Sequence, residues 1–255
     1  MDSTSASGRS TKRTGWSTSR RSALTGSNRI CTENNMNYRH FIWDFDGTLF
    51  DSYPHVMQCC WDALVGAGLA EGLERETVLR YLLVSFGDMK RYTGMPDDVY
   101  RAFVDRSHLL GDDEVLPKAE PFPDARDVLS AIVKNGGKNY LYTHRNKTAL
   151  WYFDTYGLTE FFTDFVTSEE GFPSKPAPDA VLALMERNSL DPAACIMVGD
   201  REIDGMSGKN AGIAGALVNY PPALPDGTSP AAVTAMDYTA ESLTEFARMM
   251  GIAGI

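Results

Sequence analysis

The sequence predicts an α/β protein built on an open parallel sheet with helices on both faces. Short apolar runs alternate with amphipathic helical patterns from residue 122 onward, the alternation that parallel sheets require. Hydroxyl, basic and acidic residues gather directly after those runs, where ligands sit in open α/β sheets. A third observation adds an insertion, because the stretch from Tyr53 to Pro121 reads as helical. A chain of 255 residues suits one α/β domain with an inserted subdomain. Its 43% hydrophobic and 23% charged content is ordinary for a soluble globule. A net charge of −10 argues against nucleic acid as the main partner. No apolar run approaches the ~20 residues that span a bilayer, so no membrane partner is expected.

The first strand carries the most chemistry. His40-Phe41-Ile42-Trp43-Asp44-Phe45-Asp46-Gly47-Thr48-Leu49-Phe50-Asp51-Ser52 is an apolar run that ends in two carboxylates, a glycine and a hydroxyl. Phe41 to Phe45 reads as a buried strand. In a regular strand Asp44 and Asp46 share one face, and Gly47 lets the chain turn sharply beyond them. Burying two carboxylates there is costly unless something compensates. Mg²⁺ compensates well, since it prefers carboxylate oxygens, waters and substrate phosphate. The local reading is a strand-end Mg²⁺ site with a carboxylate free to attack.

The inserted segment shows helical stripes. Val56, Cys59, Cys60, Ala63, Leu64 and Ala67 fall at i, i+3, i+4, i+7, i+8 spacing, with Gly66 and Gly68 ending that helix. Val78, Leu79, Leu82, Leu83 and Phe86 form a second stripe. Val99, Ala102, Phe103, Leu109 and Leu110 suggest a third helix and a fourth, one of which Pro96 can start. Leu116-Pro117 to Asp124 reads as the returning hinge. Lys90, Arg91 and Tyr92 read as a solvated surface of this segment.

Back in the sheet, Ala125, Val128, Leu129, Ile132 and Val133 mark a helix that Asn135-Gly136-Gly137 ends. Tyr140 to Thr143 reads as a strand whose terminal hydroxyl can help hold a phosphate oxygen. His144 follows and reads as a positional residue. Ala149, Leu150 and Phe153 continue a helix to Gly157, and Phe161 to Thr167 reads as another strand. Lys175 then stands between a loop and a helix that opens with Pro178 and Asp179. Ala194 to Val198 is an apolar strand that runs into Gly199-Asp200-Arg201-Glu202-Ile203-Asp204, returning acids to the same sheet edge. Gly215 to Asn219 is the last strand expected, and a helix with Leu243, Phe246 and Met249 finishes the chain.

Asp-Phe-Asp-Gly-Thr-Leu-Phe-Asp-Ser closely resembles the first motif of the haloacid dehalogenase superfamily of phosphohydrolases. Thr143 matches its second motif, Lys175-Pro176-Ala177-Pro178 its third, and Asp200 with Asp204 its fourth. The resemblance covers about residues 38–250 and implies a Rossmann-like core over 36–52 and 122–255. It makes residues 53–121 a helical cap of the C1 type. It implies Asp44 as nucleophile, Asp46 as general acid/base and Lys175 as the group that steadies the charge of both nucleophile and phosphoryl. Asp44, Gly47, Thr143, His144 and Lys175 would surround the phosphate. Asp44, the Asp46 main-chain carbonyl and Asp200 would hold Mg²⁺, with Asp204 ligating it or holding its waters. Haloacid dehalogenases lack the second Asp, so Asp46 argues against that branch.

The implied activity is Mg²⁺-dependent hydrolysis of a small phosphorylated metabolite through an aspartyl-phosphate, phosphoglycolate phosphatase-like. A β-phosphoglucomutase-like phosphosugar mutase and a non-catalytic binding protein on the same scaffold are the alternatives. A monomer or homodimer in the cytoplasm is expected. Cys31, Cys59, Cys60 and Cys195 show no metal spacing and read as reduced thiols. Residues 1–35 are rich in Ser and Thr and carry Arg9, Lys12, Arg13, Arg20, Arg21 and Arg29. Too few apolar residues to build a core lead to an expectation of disorder, and no apolar h-region marks a secretory signal. A transit peptide competes there with a start of translation at Met36 or an artefactual arm.

Overall fold

The computed structural model describes residues 37–108, 119–219 and 236–255, all within one compact unit. The expected arm over 1–35, Leu109-Leu110, and Leu116-Pro117 of the hinge lie outside the described residues. Six parallel strands form the sheet: β1 (His40–Trp43), β4 (Lys138–Tyr142), β5 (Phe162–Val166), β6 (Cys195–Gly199), β7 (Ala214–Val218) and β8 (Tyr238–Ala240). Their order is β5-β4-β1-β6-β7-β8, so β1 pairs on both sides, and Phe41, Ile42 and Trp43 are buried.

Alternation along β1 sends its side chains to different cores. Phe41 and Trp43 join one cluster, with α5 (Ala125–Lys134), α6 (Thr148–Thr155) and α9 (Leu243–Met249). Ile42 joins the other, with Tyr140, Tyr142, Met197 and α7 (Asp179–Asn188). Trp43 keeps its indole N–H satisfied in the first core by donating to Asn139 Oδ1 at 2.9 Å, as a buried donor requires. The expected open parallel sheet with helices on both faces is the observed one. β8 adds a strand where the sequence pattern showed none: three residues are too short for a visible alternation.

Between β1 and β4 the chain leaves and re-enters the sheet through a two-stranded antiparallel ribbon, β2 (Phe50–Asp51) with β3 (Glu120–Pro121). Phe50 anchors it, stacked on Phe45 with ring centroids 4.2 Å apart. The intervening helices are α1 (Tyr53–Gly66), α2 (Arg75–Val84), α3 (Phe86–Thr93) and α4 (Asp97–His108). Val56, Cys60, Leu64, Val78, Leu82, Met89 and Phe103 give them a hydrophobic cluster of their own. One expected stripe is corrected: Phe86 does not extend α2. Ser85 turns to an extended conformation and its hydroxyl accepts from Asp88 N at 2.9 Å, which caps α3.

Candidate active site

The sheet brings the carboxyl ends of β1, β4 and β6 side by side, and every motif residue follows one of those ends or the loop after β5. β1 stops at Trp43, one residue before Asp44. The expectation that Asp44 and Asp46 share a strand face is therefore corrected. The backbone turns between them, and the two side chains reach different partners.

Asp44 is buried, its N–H bonded to Val198 O at 2.9 Å. Its Oδ1 accepts from Lys175 Nζ at 2.5 Å, while its Oδ2 is buried without a hydrogen-bond partner. Lys175 also donates to Asp204 Oδ1 at 2.8 Å. Burial pushes the lysine's pKa down, but Asp204 and Asp44 together outweigh it and hold the ammonium charged. Asp204, in the first turn of α8 (Glu202–Asn210), also accepts from Arg201 N at 3.0 Å. Burial raises its pKa, yet Lys175 and Arg201 more than offset this and leave it lowered. Gly199 makes the close approach possible, since a Cβ there would collide with the Asp204 side chain.

Asp200 follows β6 and is fully buried. Burial, reinforced by Asp204 and Asp44, pushes its pKa well up against the pull of Arg201. Its Oδ2 accepts from Tyr53 Oη at 2.5 Å. Carboxylate oxygens of Asp44, Asp200 and Asp204 all lie within 4.8 Å of one another. An all-oxygen set with one orphaned buried oxygen fits a hard divalent cation. Gly47 sits beside them at φ +72°, and any side chain there would meet Tyr53 and Asp200.

The Asp46 carboxylate stands apart from that cluster. It takes Arg145 Nε on both oxygens, at 2.8 and 2.9 Å, and Arg145 Nη2 lies 2.7 Å from Oδ1. Burial raises the Asp46 pKa, but Arg145 overrides it and holds the carboxyl down at about 2. Arg145 is itself buried, with its guanidinium 5.0 Å from the centre of the Phe45 ring.

Thr143 lies one residue past β4, buried, and its Oγ1 accepts from Arg145 N at 3.1 Å. His144 Nε2 accepts from Lys175 N at 3.0 Å, tying the loop after β4 to the loop between β5 and α7. Burial first, then Lys175 and Arg201, push the imidazole pKa down to about 3, so the ring is neutral and its nitrogen free to accept. The structure brings Asp44, Gly47, Thr143, His144, Lys175, Asp200 and Asp204 to one edge of the sheet. Arg145 and Tyr53 join them without having been expected from the sequence. A lone Arg after Thr-His carries no periodic signal, and a Tyr at a helix start reads as ordinary packing.

Residues 41–218 match the family described as haloacid dehalogenase-like hydrolase. A phosphoglycolate phosphatase of Vibrio parahaemolyticus is 25% identical over 83% of this chain and 95% of its own length. The pyrophosphatase PpaX of Bacillus velezensis is 29% identical over the same shares, 83% and 95%. A HAD-superfamily hydrolase structure from Geobacter sulfurreducens superposes with a TM-score of 0.60 at 22% identity, covering 86% of this chain and 99% of that one, and so shares the fold. With the matched span running from β1 through β7, this chain belongs to the haloacid dehalogenase-like hydrolase family.

Proposed function

We propose that this chain hydrolyses small phosphate monoesters in a Mg²⁺-dependent reaction, through an aspartyl-phosphate formed on Asp44. The observation that carries the reading is the buried group of Asp44, Lys175, Asp200 and Asp204, with Asp44 Oδ2 unpartnered beside a lysine. Relatives named for phosphoglycolate and pyrophosphate hydrolysis point the same way. Mg²⁺ held by Asp44, Asp200, Asp204 and the Asp46 carbonyl would supply neutralisation of the phosphoryl oxygens.

In this account Asp44 attacks phosphorus, an Asp44 oxygen–phosphorus bond forms, and the bond to the leaving oxygen breaks. Lys175 balances the negative charge that gathers there. Thr143 Oγ1 and the N–H groups beside Gly47 hold non-bridging oxygens. Asp46 gives a proton to the leaving oxygen, then takes one from the water that attacks the acyl-phosphate. Inorganic phosphate leaves and Asp44 is restored. Residues 53–121 serve as a cap over a core of 36–52 and 122–255, excluding bulk water during transfer.

The test is phosphate release from a panel of small phosphomonoesters, with and without Mg²⁺, for wild type and Asp44→Asn. We expect Mg²⁺-dependent turnover in wild type and a loss of about 10³-fold or more in the folded variant. Wild-type turnover in Asp44→Asn would remove the nucleophile assignment.

A further inference from the structure

A cavity of about 360 Å³ lies between the helical segment and the strand-end loops. Its outer wall comes from the helices. Tyr53 and Val56 stand on α1 and Phe86 at the start of α3. Tyr100, Val104 and His108 recur every fourth residue on α4 and so share one face. Phe86 and Tyr100 both pack on Phe103, with ring centroids 5.3 and 6.2 Å away, so the wall is held in place by the segment's own core. Another hollow of about 370 Å³ between α1 and α4 holds none of the strand-end acids.

Among the described residues, no lysine or arginine stands on that outer wall. The cations of α3 do not line the cavity: Lys90 pairs with Asp97 and lies over the Tyr100 ring, 5.1 Å from its centre, and Arg91 pairs with Asp88. His108 is the wall's one titratable base, and burial lowers its pKa and keeps it neutral. The two arginines that do line the cavity, Arg145 and Arg201, come from the strand-end loops. Arg145 shares its Nε–H between both Asp46 oxygens, and Arg201 Nε sits 4.0 Å from Asp200 Oδ1; Arg145 Nη2 and Arg201 Nε are buried without a hydrogen-bond partner among the described residues. Both belong to the half that takes the phosphoryl group. A second negative charge on the substrate, placed against the outer wall, would meet valine, phenylalanine, tyrosine, Ser85 and a neutral His108 with no cation among the described residues of that wall, which is costly.

From this wall we infer that the leaving group is an uncharged apolar or aromatic alcohol of about one ring in size, not a short anionic acid. The volume suits it, since a cavity of roughly 150 Å³ already holds a benzene ring, leaving the remainder for the phosphoryl group. This inference rests on the phosphatase reading above, and it separates this chain from the substrate in the name of its Vibrio relative.

The experiment compares kcat/KM for benzyl phosphate and 2-phosphoglycolate, two primary alkyl phosphates, with 4-nitrophenyl phosphate as a common reference. We expect benzyl phosphate to be favoured by about tenfold or more, as burial of one ring on an apolar wall implies. Val104→Arg, which sets a cation on the wall, should shift the ratio towards phosphoglycolate. Phe86→Leu should lower the benzyl phosphate value while sparing phosphoglycolate. If 4-nitrophenyl phosphate is turned over while phosphoglycolate matches or exceeds benzyl phosphate, zero for both included, the inference is overturned and the phosphatase reading survives. Release from none of the three overturns the phosphatase reading itself, and this inference with it.

Discussion

The two carboxylates that follow β1 meet opposite surroundings. Burial pushes the Asp44 carboxyl up to about 6 against the pull of Lys175, whereas Arg145 holds Asp46 ionised. In the proposed reaction an ionised Asp46 would be ready to act as the base of the second half-reaction. There it must carry a proton to act as the acid of the first, which would require Arg145 to yield when substrate enters. Asp46→Asn can do neither step, and Asp44 can still attack. We expect its steady-state rate to fall steeply for alkyl phosphates and less for aryl phosphates, whose leaving oxygens need no proton. Equal losses for both classes would contradict the acid role. His144 supplies a pH prediction. Its native pKa, about 3, lies below the ordinary 6.5. Between those values the unfolded chain binds a proton that the native chain does not. Its contribution to stability is therefore complete above 6.5 and is lost as pH falls towards 3. His144→Asn keeps an acceptor for the Lys175 N–H but does not titrate. Between about pH 7.5 and pH 5 the wild type should lose more melting temperature than the variant; equal losses would show that the imidazole is not held neutral.

Strands and helices differ in how plainly the sequence announced them. β1, β4, β6 and β7 lie within two residues of their expected ends, because unbroken apolar runs admit few other structures in a chain this size. The break between α2 and α3 was hidden, since Phe86 continues the i+4 spacing of α2 and only the Ser85-to-Asp88 contact reveals the restart. The β2–β3 ribbon was hidden as well. Its pairing joins residues about seventy positions apart, and two-residue strands leave no pattern to read. That ribbon ties the sheet to the four-helix segment, with Phe50 fixed in the aromatic cluster around Phe45, Tyr152 and Phe153, and Thr148 Oγ1 donates to His108 O at 3.1 Å at the end of α4. A segment tied in this way over the strand ends should admit only substrates that fit beneath it. We expect kcat/KM for a small phosphomonoester to exceed that for a folded phosphoprotein by about 10²-fold or more. Comparable values would mean that residues 53–121 do not cover the site.

For the molecule as a whole, function follows from topology. Placing β1 between β4 and β6 brings Asp44, Thr143 and Asp200 from distant parts of the sequence to one edge. The β5-to-α7 loop then delivers Lys175 between Asp44 and Asp204. These residues were legible because each sits after an apolar run in a recognisable motif. The cavity wall was not legible, because Tyr53, Phe86 and Tyr100 look like ordinary helix packing until the segment is folded over the strand ends. No described helix is long and apolar enough to cross a membrane. The central claim is that Asp44 carries the phosphoryl group during turnover, and mass spectrometry tests it directly. Asp46→Asn, which slows the release of phosphate from Asp44, is mixed with 4-nitrophenyl phosphate and Mg²⁺, quenched in acid and digested. The account predicts a phosphorylated peptide whose modification maps to Asp44 and disappears in the Asp44→Asn, Asp46→Asn double variant. Phosphate on another residue, or turnover with a burst of nitrophenol and no phosphorylated peptide, would contradict it.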